Sequence, residues 1–81
     1  MKVRAEFYSR LREVAGAGAV DVQLEDGATV RDLVEKLCRD YPRLRDFEKS
    51  ILFGIGVEFV NRDHRLGDGD AVAIMPPVQG G

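Results

Sequence analysis

Polar and apolar positions alternate over the first part of the chain and fall at helical spacing in its middle. In residues 2–8, KVRAEFY, Val3, Ala5 and Phe7 lie on one side, with Lys2, Arg4, Glu6 and Tyr8 on the other. Period two over this length predicts a strand with one buried face. The alternation returns in residues 19–25, where Val20, Val22 and Leu24 face one way. A last strand is predicted for AVAIM, residues 71–75. Between the first two strands, Ser9 is placed to cap a short helix. Its Leu11, Val14 and Ala15 share a face, and Gly16 ends it.

The strongest helical pattern covers residues 29–41. Thr29 and Asp32 fit the start signal in which two side chains satisfy orphan amide donors. Val30, Leu33, Val34, Leu37, Cys38 and Tyr41 then recur at offsets of three and four, forming one amphipathic stripe that Pro42 stops. The segment RLRDFEKS reads as a charged link. The apolar run ILFGIGVEFV is too glycine-broken for a good helix, and a strand is predicted within residues 55–60. A turn near NRD, a brief extended piece at 64–66 and a tight GDGD turn complete the chain. The order is strand, strand, helix, strand, strand. That order implies an α+β fold in which a mixed sheet packs on one main helix.

Eighty-one residues suffice for one domain with a modest core. Apolar residues at 44% and charged residues at 32% suit a globular chain and exclude a disordered one. A net charge of −2 argues against nucleic acid as partner, since that role wants a basic excess. No stretch has the length of a membrane span, and MKVRAEFY has no signal-peptide core. With Cys38 the single cysteine, the expected compartment is the cytoplasm.

Most catalytic chemistry is excluded by shortage. One histidine, His64, and one cysteine cannot build a zinc site. Cys38 lies on the apolar stripe, where a free thiol behaves as a small hydrophobe. GAGA and LFGIG lack the spacing and the lysine of a phosphate-binding loop. Asp68 and Asp70 in GDGD read as turn residues rather than metal ligands. The basic residues Arg10, Arg12, Arg43, Arg45 and Lys49 are interspersed with acids, as on a solvated face.

The ending MPPVQGG stands out against this shortage. Two closing glycines arise by chance in about 0.5% of chains. Pro76 and Pro77 favour an extended stem, advancing ~3.1 Å per residue, so the end can stand about 19 Å from Met75. Gly80 and Gly81 carry no Cβ, which keeps the tip thin enough for a narrow partner site. Such a stem makes sense if the terminal carboxylate is the functional group. The bland reading, a frayed end, stays open at this point.

Three stretches carry a family resemblance: FYSRLREVAG, TVRDLVEKL and LGDGDAVAIMPPVQGG. On them the chain resembles the ubiquitin-like β-grasp sulfur carriers, and within these the small subunit of molybdopterin synthase. The resemblance implies a β-grasp domain over residues 1–75, with four or five strands and the first and last side by side, and an extended tail over 76–81. It implies that an ubiquitin-activating-like adenylyltransferase uses ATP to adenylate Gly81, which then becomes a thiocarboxylate. Pro76, Pro77, Val78, Gln79 and Gly80 would thread into partner sites. The large synthase subunit would accept the stem in a complex of two small and two large chains. Sulfur would pass there to a cyclic pyranopterin monophosphate. No cofactor or metal is expected on this chain, since molybdenum or tungsten joins the finished product. Phe7, Phe59 and Met75 are candidates for an apolar docking patch, with core packing as the alternative for each. Arg12 is a candidate contact for the activating enzyme, with a solvated arginine as the alternative. Where family members often carry Val-Asn, this chain has Ile55-Gly56, and glycine's backbone freedom would have to replace the asparagine's local hydrogen bonds. Sibling carriers for thiamine, transfer-RNA thiolation or protein tagging share the Gly-Gly ending, and a β-grasp interaction module without carrier chemistry is the remaining alternative.

Overall fold

A computed structural model describes residues 1–77 of the chain. Five strands form one sheet: β1 (Lys2–Phe7), β2 (Ala19–Gln23), β3 (Leu52–Ile55), β4 (Glu58–Val60) and β5 (Ala71–Met75). Their spatial order is β2-β1-β5-β3-β4. The first and last strands lie side by side in parallel, with Arg4 opposite Ala71 and Phe7 opposite Ile74. The other pairings are antiparallel, so the sheet is mixed, as the element order implied.

Alternation decides which side of this sheet is dry. Val3, Ala5 and Phe7 of β1, Val72 and Ile74 of β5 and Phe53 of β3 are buried. They share one core with Val30, Leu33, Val34, Leu37 and Cys38, the apolar stripe of helix α2 (Val30–Asp40). Full burial of a side chain such as Leu33 contributes about 2 kcal/mol. The start of α2 is secured as the Thr29 and Asp32 pattern predicts. Asp32 Oδ2 accepts from the Thr29 N–H at 2.9 Å and from its hydroxyl at 3.3 Å. The Val30 and Arg31 N–H groups are satisfied by the carbonyls of His64 and Arg62.

Four expectations change. Ser9 does not cap α1 (Arg10–Ala15) with its side chain; its backbone is turned to φ 54°, outside the conformation a capping serine adopts. Gly16 ends that helix at φ 75°, as expected. Residues 42–50 are a 3-10 helical segment rather than a link, because Leu44 is buried among its charged neighbours and Phe47 packs on the core. The single strand read within 55–60 is instead a hairpin of β3 and β4. The chain reverses at Gly56, whose φ of 63° is the left-handed conformation that glycine accepts readily. The extended piece at 64–66 reduces to one bridge, between Thr29 and Arg65. The GDGD turn forms as expected: Gly69 has φ 86°, and the Asp70 N–H donates to the Gly67 carbonyl at 3.1 Å.

Candidate functional site: the tail root and the outer sheet face

β5 is held on both sides, by β1 and by β3, and Met75 pairs with Leu52. Pro76 has no N–H to continue either ladder, so the strand ends there for a covalent reason. Pro76 is half-buried and Pro77 exposed. They share a recess of about 390 Å³ with Ser9, Arg10, Phe47 and Ser50. The remaining residues expected to form the stem, Val78, Gln79, Gly80 and Gly81, lie outside the described residues.

Beside this root, the outer face of the sheet carries exposed apolar groups. Phe59 is 72% exposed, Tyr8 47%, and Val57 fully exposed. With Met75 they line a hollow of about 250 Å³, and Gly54 and Ala73 lie between them. A Cβ on Gly54 would stand 3.2 Å from Met75 Cε, so the absence of a side chain there helps to keep the hollow open. Exposed apolar groups of this size, clustered on one face, mark an interaction surface. Glu58 is the one charged residue lining it.

The docking candidates therefore divide. Phe59 and Met75 come together in this hollow. Phe7 does not join them; it is 3% exposed and meets Tyr41 edge-on, with ring centroids 6.2 Å apart. Its period-two position points it into the core, so the packing alternative holds. The outward aromatic of that strand end is Tyr8, which the alternation had already placed on the polar side. Arg12 is exposed but packs over Gly18, where a Cβ would stand 3.2 Å from its Nη2. It lines a separate depression with Arg4, Glu6 and Ser9.

The residues set aside earlier behave as structural ones. Burial pushes the Cys38 thiol above its ordinary value, and Glu48 adds to the effect. A neutral buried thiol is a poor nucleophile. Asp68 Oδ1 accepts from the Lys2 N–H at 2.8 Å, and Asp70 Oδ2 accepts from the Gly67 N–H at 2.8 Å. Both carboxylates are thereby committed to shaping the last turn. Among the described residues no cluster of His, Cys, Asp and Glu could hold a metal ion. No helix among them is long and apolar enough to cross a membrane.

The profile of the ThiS family matches residues 5–81, nearly the whole chain. The chain belongs to the ThiS family. A molybdopterin synthase sulfur carrier subunit from Chlamydomonas reinhardtii is 35% identical over 100% of both chains. The small archaeal modifier protein 3 of Haloferax volcanii is 34% identical, again over 100% of both. The crystal structure of SAMP1 from Haloferax volcanii superposes with a TM-score of 0.86 at 29% identity, covering 100% of each chain. Family and architecture agree on an ubiquitin-like β-grasp sulfur-carrier fold, with β1 and β5 at its centre.

Proposed function

We propose that this ThiS-family chain is the sulfur-carrier subunit of a molybdopterin synthase. The observation that carries the reading is the PPVQGG segment, attached to the doubly paired strand β5 next to an exposed apolar face. A carboxylate is a poor acyl donor because its oxygen is a poor leaving group. At an adenylyltransferase, the Gly81 carboxylate attacks the α-phosphorus of ATP and releases pyrophosphate. A sulfur nucleophile then attacks the acyl carbon, AMP leaves, and a thiocarboxylate remains. In the large synthase subunit, that sulfur passes to a cyclic pyranopterin monophosphate and the carboxylate is restored. The assembly is two small with two large chains, and it works in the cytoplasm without nucleic acid. ATP and metal belong to other members of the pathway. This chain supplies a thin, reachable end and a face, Phe59 and Met75 with Tyr8 and Val57, that docks on the protein holding that end.

The likeness to the Haloferax modifier favours a second reading, in which activated Gly81 is joined to lysines of other proteins. Mass spectrometry of the C-terminal peptide tests both. The chain is incubated with the host's activating enzyme, ATP and a sulfide source. ATP-dependent replacement of one oxygen by sulfur on Gly81 is expected, with oxidation of Met75 excluded by fragment ions. An unmodified Gly81 beside a demonstrably active enzyme overturns the carrier reading. Isopeptide links from Gly81 to lysines, without transfer to a pterin precursor, favour the modifier. One residue added after Gly81, or a bulky residue in place of Gly80, abolishes activation in the carrier reading and leaves folding intact.

A further inference from the structure

The recess at the tail root has a composition that the outer hollow lacks. Its apolar residues are Phe47, Pro76 and Pro77; its polar residues are Ser9, Ser50 and Arg10. No carboxylate lines it. Arg10 is exposed, and no ion pair to it forms among the described residues. The Ser50 hydroxyl already donates to the Phe47 carbonyl at 3.1 Å, which leaves Ser9 and Arg10 as the donors free to turn into the recess. Two donors, one cationic, over an apolar floor fit a carboxylate carried on a short aliphatic stem.

Geometry limits who can bring it. Gly81 is four residues beyond Pro77, and at ~3.5 Å per residue an extended chain spans at most about 14 Å. A standard interface covers about 800 Å² per partner, a patch about 16 Å in radius. A protein that holds Gly81 in its active site is therefore within range of the recess. We infer that the recess bounded by Ser9, Arg10, Phe47, Ser50 and the two prolines takes an aspartate or glutamate side chain of the enzyme that activates the tail, with Arg10 as its ion-pair partner. The contact sets the direction in which the stem leaves the sheet. The Arg12 guanidinium lies over Gly18 and lines a different depression. Arg10 is a positioning residue and takes no part in the chemistry.

This inference rests on the carrier reading, and kinetics separate the two. The host's adenylyltransferase is assayed with ATP at varied concentrations of this chain, following pyrophosphate release. Arg10→Glu places like charges together and is expected to raise KM about tenfold or more, with kcat within about twofold. Arg10→Lys keeps the charge and recovers most of the loss. Arg43→Glu, an equal charge change outside the recess, leaves KM unaltered. Raising salt from about 50 to 300 mM raises the KM of the unaltered chain and flattens for Arg10→Glu. Arg10→Gln, with its melting temperature measured alongside, guards against a folding defect as the cause. Equal KM values for Arg10→Glu, Arg10→Gln and the unaltered chain, in an assay where that chain is activated, overturn the recess and spare the carrier reading. No pyrophosphate release from the unaltered chain, with an enzyme proven active, overturns both.

Discussion

The two faces of the sheet use apolar residues in opposite ways. On the inner face Val3, Ala5, Phe7, Val72 and Ile74 disappear against α2 and the segment behind it. On the outer face Tyr8, Val57 and Phe59 remain in water around a floor of Gly54 and Ala73. Burial drives the first arrangement, since each of the larger inner side chains contributes about 1.5–3 kcal/mol by leaving water. Nothing comparable favours the second in the isolated chain. An exposed phenylalanine on a short edge strand adds an aggregation hazard instead. The outer set is therefore explained by a partner, while the inner set is explained by the fold itself.

Substitutions that separate stability from partner binding would break this contrast. The largest effect is expected for Phe7→Ala, which should destabilise the fold by about 3–5 kcal/mol, measured by urea denaturation. That is a large share of the ~5–15 kcal/mol available to a small domain. A loss below about 1 kcal/mol would mean that the Phe7 ring is not held in the core. Phe59→Ser should leave stability within about 0.5 kcal/mol and weaken binding to the activating enzyme by about 2 kcal/mol, read by calorimetry. Unchanged affinity would remove Phe59 from the docking face. Gly54→Ala is a finer probe. The added Cβ meets the mobile end of Met75 at 3.2 Å and the Glu58 carbonyl at 3.5 Å, and the glycine does not occupy the left-handed region. Stability should stay within about 1 kcal/mol, with a smaller loss of affinity than for Phe59→Ser, because the hollow becomes shallower.

The smallest effect concerns Cys38. Its thiol ordinarily titrates near 9.0, and burial raises that value in the folded chain. The folded state thus holds the proton more tightly than the unfolded one. The stabilisation is fully present below pH 9.0 and is lost as pH rises through the folded value. Chemical denaturation at increasing alkaline pH should show this decline, and Cys38→Ala should reduce it. Alkylation of Cys38 at neutral pH should proceed only as fast as the chain opens. Rapid labelling of the folded chain would contradict its burial.

The regular periods were readable in advance: β1, β2 and α2 carry unbroken alternation or an unbroken stripe, with Pro42 and Gly16 as stops, and β5 is a short apolar run set off by the GDGD turn and Pro76. Two regions were not. In residues 42–50, charges mask the spacing of Leu44 and Phe47, so a buried turn looks like a linker. In the run 51–60, every position but one is apolar or glycine, so no period reveals where the chain reverses. The candidate site divides in the same way. The PPVQGG tail and Phe59 were visible as residues, while Tyr8, Val57 and Gly54 became site residues only through their neighbours.

What this sequence determines alone is local: periods, stops, caps and the composition of its last six residues, because each depends on backbone preferences a few residues wide. The parallel pairing of β1 with β5 brings Tyr8 and Ser9 to the root of the tail, across more than sixty residues of chain. The β3–β4 hairpin brings Phe59 to Met75. Those meetings were decided by tertiary structure, since the side of the sheet on which a side chain becomes functional depends on which strands lie beside it.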